Sequence, residues 1–393
     1  MKQQAQRLLA LDILRGITIA GMIMVNNPGS WGTMYAPLKH AAWNGLTPTD
    51  LVFPFFMFIM GVSMEFSLRK YKHGLDKQNL VKILKRTATI FLIGTAIAWM
   101  SSFCYPFFNI GNTSAGWLER FTENIFPFHR IRILGVMPRL ALTYCAGSLI
   151  YLVFAQKRQL EIAFGFLLSY FMILYFGHGF ELSSNNIIAI VDQAILGSNH
   201  MYHMTNPEGV RIAFDPEGLL STLPCISHVL IGMYVGRVIL NNKDQYHLVA
   251  QISIVGISLL FSGCLLSYGC PINKAIWSPT YVLVTCGLGS LLLALLIFII
   301  DIKQKVKWSQ FFEAFGINPL FMYVLGAILS ILMGSIKFHL DDKIFSIKGY
   351  IYQELLLPIL PEHMASLAFA LLFVGLNWVI GYQLYRRKIY IKI

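Results

Sequence analysis

Ten stretches of about 18 or more predominantly apolar residues recur along this chain of 393, each long enough to cross a lipid bilayer. They lie near 11–27, 51–68, 87–103, 133–154, 160–176, 219–240, 247–266, 280–300, 315–335 and 364–385. Inside hydrocarbon the backbone must satisfy its own hydrogen bonds, so such segments fold as helices. The connectors are too short to make a separate soluble domain. The expected fold is therefore an all-α polytopic membrane protein of about ten transmembrane helices, one domain over residues 1–393. Hydrophobic residues make up 56% of the chain and charged residues 13%, and the mean hydropathy is +0.61, which excludes an ordinary soluble enzyme.

The first run follows Lys2 and Arg7 as a signal peptide would, but it contains Asp12 and Arg15 and no small-residue cleavage site follows. It reads as the first transmembrane helix. With the N-terminus placed in the cytoplasm, the inward connectors hold 20 Lys and Arg residues and the longer outward ones 9. That asymmetry, strongest in Arg69-Lys70-Tyr71-Lys72-His73-Gly74 and the Arg386-Arg387-Lys388 tail, predicts both termini on the cytoplasmic side. The formal charge of +12 is then mostly topology with some attraction to anionic headgroups, and calls for membrane lipid rather than a nucleic-acid partner.

Polar chemistry concentrates at one helix mouth. Between residues 38 and 61, His40, Asn44 and Asp50 fall within eleven positions, and Asp50 opens directly into an apolar run. Titratable groups at such a depth are costly to keep and usually functional, and the expected partner of His40 is Asp50. A loop whose His and Trp merely anchor the interface is the alternative.

Other charges enter the spans. Asp12 and Arg15 share a helix face at a spacing of three; they either neutralise each other or line an anion entrance. In Arg130-Ile131-Arg132-Ile133-Leu134-Gly135-Val136-Met137-Pro138-Arg139, arginines enter a helix that Pro138 is expected to interrupt, with Arg139 on a cavity or an anion. Asp215 before Pro216 is equally a candidate helix cap. His200 and His203 have no third ligand at metal-site spacing, and no metal is expected. Lys274 and Trp277 sit in an outward loop on the His40 side. Six cysteines form no CxxC motif; Cys104 and Cys270 face outward, and their pairing stays open.

These residues resemble a family. His40-Ala41-Ala42-Trp43-Asn44-Gly45-Leu46-Thr47-Pro48-Thr49-Asp50-Leu51-Val52-Phe53-Pro54, preceded by Leu11-Asp12-Ile13-Leu14-Arg15-Gly16 and Val25-Asn26, is similar to the transmembrane heparan-alpha-glucosaminide N-acetyltransferases and their bacterial relatives. Arg132 to Val136, Pro138-Arg139-Leu140, Asp215-Pro216-Glu217-Gly218, Pro271-Ile272-Asn273-Lys274 with Trp277-Ser278, and Gly316-Ile317-Asn318-Pro319 continue the resemblance in family order. The resemblance implies a multi-pass acyltransferase bundle in a bacterial inner membrane. It would move the acetyl group of cytosolic acetyl-CoA to an amino sugar or glycan on the periplasmic side. It also implies a catalytic role for His40, with Asn26 and Asp50 shaping the site. Trp43, Asn44, Arg15, Arg139, Asp215 and Lys274 are the expected contacts to acceptor or donor. A longer stretch between Asn26 and His40, and no counterpart to the lysosomal enzyme's extra N-terminal segment, are the expected departures.

Elementary chemistry points the same way. Attack of an amine or hydroxyl on a thioester needs a base near neutral pKa, which a His oriented by a carboxylate supplies. The thioester oxygen needs a donor, for which Asn26 or Asn44 serves. Direct transfer with His40 as general base is the expected course, and an acetyl-histidine intermediate is the alternative. A sugar or anion transporter using His40 and Asp50 as a proton relay is the rival from another class, and a homodimer stays open as an assembly.

Overall fold

The structure is a computed structural model and describes residues 8–71, 74–109, 116–206 and 208–391; Lys2, Arg7, Lys72 and His73 lie outside the described residues. The apolar segments are helices: α1 (Leu9–Val25), α2 (Val52–Leu68), α3 (Lys77–Phe107), the short amphipathic α4 (Trp117–Asn124), α5 (Val136–Val153), α6 (Gln156–Phe176) and α7 (Ile187–Leu196). After an antiparallel hairpin of β1 (His203–Thr205) and β2 (Arg211–Ala213) come α8 (Thr222–Asn241), α9 (Gln245–Leu266) and α10 (Pro279–Leu296), which runs on as a π-helical turn to Ile302. The last part holds α11 (Gln310–Ile317), α12 (Pro319–Ser335), a second hairpin of β3 (Lys337–Leu340) and β4 (Lys343–Ser346), the one-turn α13 (Ile347–Tyr350) and α14 (Glu362–Arg386).

By length and composition, eight described helices can cross a membrane, or nine if α11 and α12, bent by 78° at Asn318-Pro319, count as one broken span. Of the ten segments expected from hydropathy, α1 is the one left over, a 17-residue helix just below that length. Pro319 supplies the break, since it has no N–H to donate.

Where helices cross, small residues let backbones meet. α2 lies along α8 with Gly61 against the Val229 carbonyl and Gly232 against that of Phe58. α1 crosses α11 with Gly16 on the Phe312 carbonyl and Gly316 on that of Asp12, and any Cβ there would sit inside contact distance of backbone. Gly16→Ala is therefore expected to cost about 1–3 kcal/mol through overpacking, read as a lower Tm in detergent; an unchanged Tm would mean that this crossing can open at no cost.

Two local expectations are corrected. α5 starts at Val136, three residues later than hydropathy suggests, so Pro138 occupies its first turn. The N–H it lacks is one that an α-helix leaves unpaired there, and the helix is not interrupted. Asp215 does not cap α8, which begins at Thr222; the carboxylate is used within the loop before it. Cys104 and Cys270 are both buried free thiols.

Candidate active site

The loop from Lys39 to Leu51 folds around one carboxylate. Thr47-Pro48-Thr49-Asp50 makes a 3-10 turn leading into α2, with Pro48 at its first position. Asp50 turns its side chain back, so its Oδ2 accepts from the Ala41 N–H (3.1 Å), the Thr47 N–H (3.1 Å) and the Thr47 hydroxyl (2.9 Å). Its backbone carbonyl accepts from the Tyr281 hydroxyl of α10 at 2.6 Å. The other carboxylate oxygen, Oδ1, lies 2.6 Å from His40 Nδ1. Asp50 is buried, whereas the His40 side chain is 46% exposed. An ionised carboxylate only accepts, so the ring hydrogen belongs on Nδ1 and the Nε2 lone pair is left free.

Lys274 reaches the pair from the loop before α10, with Nζ 3.1 Å from His40 Nδ1 and 3.5 Å from Asp50 Oδ1. Burial pulls the pKa of this amine down, against the opposing pull of the Asp50 and Glu217 carboxylates. The loop itself is tightly held. Asn273 N–H donates to Ser278 Oγ (3.0 Å), Asn273 Oδ1 accepts from the Ile276 N–H (3.1 Å), and Asn273 Nδ2 donates to Asn44 Oδ1 (3.0 Å). Trp277 has φ of 51°, a left-handed conformation uncommon for a bulky residue. It is kept there by fully buried packing of its ring against Phe53 and Tyr281. Trp43 docks the His40 loop on the opposite flank by donating to the Phe180 carbonyl (2.8 Å) and setting its edge against Phe214.

Behind Lys274 stands an ion cluster. Arg132 holds Asp215 in a two-pronged pair (2.9 and 2.5 Å) and Glu217 at 2.5 Å. Asp215, with no exposed surface, also accepts from the N–H groups of Tyr202 (3.0 Å) and Glu217 (2.9 Å). Burial opposes charge on both partners, yet Glu217 and Asp215 raise the pKa of Arg132, and Arg132 holds Glu217 below its ordinary 4.5.

Arg132 also borders a cleft of about 450 Å³. Its polar rim is Asn26, Asn27, Arg130 and Arg132, and its apolar walls come from α1, α3, α5 and α12, including Tyr323. Asn26, one residue past the end of α1, is exposed to this cleft. His40 is not among the residues bordering it.

The expected site residues therefore separate into groups. His40, Asp50 and Lys274 come together, and Asn44 is tied to the Lys274 loop through Asn273; Trp43 turns to Phe180 and Phe214 on the other flank; Asn26 is on the neighbouring cleft, and Asp215 is held by Arg132, which borders it. Arg139 is fully buried, donating to the Gly218 carbonyl and Ser221 Oγ with its guanidinium 5.2 Å over the Trp277 ring. Arg15 lies farther down α1, bonded to Asp12 (3.1 Å), Ser63 Oγ (2.8 Å) and the Gly316 carbonyl (3.4 Å). Among the described residues no three His, Cys, Asp or Glu side chains gather as metal ligands would.

Arg132, Glu217, Tyr281 and Asp192 join the site or its support without being among the residues expected there. The turn at Thr47-Pro48-Thr49-Asp50 had a legible signal, a capping-box spacing ahead of an apolar run. Asp192 had none. Buried on α7, it accepts from the Leu220 N–H (2.9 Å), and burial pushes its pKa up to about 6. A raised carboxyl pKa favours the fold fully below the unfolded value of 3.8, a contribution lost as pH rises through about 6. Asp192→Asn keeps the acceptor and removes the buried charge, so its Tm at pH 7.5 is expected to equal or exceed wild type; a clear drop would show that the carboxylate itself is needed.

The family model described as "Heparan-alpha-glucosaminide N-acetyltransferase, catalytic" matches residues 7–263. The mouse heparan-alpha-glucosaminide N-acetyltransferase is 26% identical over 443 aligned positions, covering 100% of this chain and 61% of the mouse protein. The human protein of the same name is 26% identical over 438, covering 98% of this chain and 60% of the human one. The chain thus spans about three-fifths of the length of these curated relatives. With the family match extending from the start of α1 into α9, across the His40 loop and the Arg132 cluster, the chain belongs to the heparan-alpha-glucosaminide N-acetyltransferase family.

Proposed function

We propose that this chain is a membrane-embedded acyltransferase that moves the acetyl group of cytosolic acetyl-CoA to the amine, or a hydroxyl, of an amino sugar on the far side of a bacterial inner membrane. It works as a single integral-membrane unit over residues 1–393, with both termini cytoplasmic. The observation that carries the reading is the His40 ring: Nδ1 rests on a buried carboxylate, and an exposed edge is left to meet a substrate.

His40 Nε2 takes the proton of the attacking amine as its nitrogen bonds to the thioester carbon. The carbon–sulfur bond then breaks, and the imidazolium returns that proton to the departing thiolate. Asp50 holds the ring in the tautomer this requires. Asn44 spends its Oδ1 on Asn273, which leaves its amide N–H group for the developing oxyanion, while Asn26 shapes the neighbouring cleft. Arg15, part exposed beside Asp12, fits a CoA phosphate better than Arg139, which has no exposed surface. Lys274 turns to His40 and Asp50, and Asp215 to Arg132, so both act through the shape of the site. Trp43, three residues after His40 in the same loop and half-buried against Phe214, is the aromatic side chain offered to a sugar ring.

The test is thiol release from acetyl-CoA by purified protein in detergent, with glucosamine and amino-sugar oligosaccharides offered. CoA release that depends on the acceptor is expected. A well-folded protein that neither binds CoA nor turns over, yet moves an acceptor across proteoliposomes without CoA, would be a transporter.

A further inference from the structure

We propose that Lys274 keeps the His40 imidazole neutral, and so able to act as a base, by pairing its ammonium with the Asp50 carboxylate that would otherwise hold the ring as imidazolium. The inference rests on the reading of His40 as base and adds the residue that sets its charge.

The argument is one of charge balance at a single atom. His40 Nδ1 has one position for a hydrogen bond, yet it lies 2.6 Å from Asp50 Oδ1 and 3.1 Å from Lys274 Nζ. As a donor to the carboxylate it cannot also accept from the ammonium, so the partner of Nζ is Asp50 rather than the ring. Asp50 Oδ1 is also 3.5 Å from Nζ, so the carboxylate has two cationic suitors. Asp50 is buried and Lys274 largely so, and a buried carboxylate favours being matched by a cation. With lysine present, the arrangement is carboxylate, ammonium and neutral imidazole. Without it, the His40 ring is the cation left to match Asp50, and a charged ring has no lone pair for the acceptor's proton.

Among the described residues the groups that face this site are few, the Tyr281 hydroxyl on the Asp50 carbonyl among them. Asp50 comes from the start of α2 and Lys274 from the loop before α10, while Asn44 and Asn273 are uncharged. Lys39, next to His40 in the chain, directs Nζ to the Gly32 carbonyl (3.5 Å). Glu217 draws on Lys274 from the loop before α8; Arg132, which it shares with Asp215, and the buried Arg139 also act on it. The Lys274 backbone cannot drift, because Asn273, Ser278 and the left-handed Trp277 fix its loop.

Turnover uses the same balance. When His40 takes the acceptor's proton, an imidazolium stands beside an ammonium, and the repulsion drives the proton on to the leaving thiolate. Lys274 is on this reading a positioning residue, since it acts through His40 and Asp50.

Diethyl pyrocarbonate acylates neutral imidazole and spares imidazolium, so its rate at His40 reports the ring's charge with no substrate present. The rate would be followed by peptide mass spectrometry in wild type, K274Q, K274M and K274R, with the exposed His247 as internal reference. At pH 7 the His40 rate in K274Q is expected to fall by about five-fold or more and to recover to within about two-fold of wild type near pH 9. K274R, which keeps the charge, should match wild type. K274M repeats the test if the glutamine variant does not fold. An unchanged or faster rate in the uncharged variants, a loss that pH 9 does not restore, or a K274R that behaves like K274Q overturns the proposal. Transfer that survives His40→Ala would instead overturn the role of His40 as base, a separate outcome from the labelling result.

Discussion

His40→Ala is expected to lower acceptor-dependent acetyl transfer by about 10²- to 10⁴-fold, the range lost when a positioned general base is removed. The fall should appear equally in kcat and kcat/KM, because the imidazole acts on a proton that moves only in the transition state. The Tm should change little. His40 is the exposed member of its pair, and Asp50 keeps the N–H groups of Ala41 and Thr47, the Thr47 hydroxyl and Lys274 when the ring is gone. Asp50→Asn should also lose activity, since an amide can donate to Nδ1 and leave the hydrogen on Nε2, the tautomer that cannot accept a proton. If acetyl-CoA and acceptor still react at the wild-type rate in His40→Ala, another group is the base. A labelled acetyl-enzyme in wild type that passes its label to acceptor would replace direct transfer by the covalent route.

Arg132→Ala should have the largest effect on stability, about 3–5 kcal/mol, because it strands carboxylates rather than merely deleting a contact. Asp215 has no exposed surface, and Glu217 relies on Arg132 to stay charged where it is. Arg132→Lys should recover only part of the loss, because an ammonium cannot match the fork that meets both Asp215 oxygens. The pH dependence separates this from general damage. Arg132 depresses the folded-state pKa of Glu217, so the stability from this pair is present above about 4.5 and drains away as pH falls through the lower folded value. The Tm gap between wild type and Arg132→Ala, read in detergent, should therefore narrow in acid. A gap that stays constant as pH falls from 7 to well below 4.5 would mean that the guanidinium works through packing alone.

Much of the membrane architecture is written locally. An apolar run of about 18 residues has one way to satisfy its backbone in lipid, so the segments around α2, α3, α5, α6, α8, α9, α10 and α14 were legible from hydropathy alone. Their ends were less so. Hydropathy does not distinguish an apolar loop from the first turn of a helix, so Ile133 and Leu134 were read into α5 although it starts at Val136. The pairing of His40 with Asp50 was legible for the same local reason: ten residues of loop, closed by the turn at Thr47, bring one to the other.

What lies across the bundle was not. Lys274 is 234 residues from His40, Arg132 is 83 from Asp215, and Arg139 is 79 from the Gly218 carbonyl. Sequence could place three arginines near a helix mouth, but it could not tell that Arg132 clamps two carboxylates while Arg139 disappears beneath Trp277. Those assignments depend on which helices cross and how closely. The glycine contacts of α1 with α11 and of α2 with α8 set that distance, and no periodicity along a single strand of sequence encodes it. The chain by itself determined its helices and the loop that presents His40, because both follow from neighbours in sequence. The charge around that histidine was decided only by tertiary structure, because it is made by residues that meet once the helices have packed.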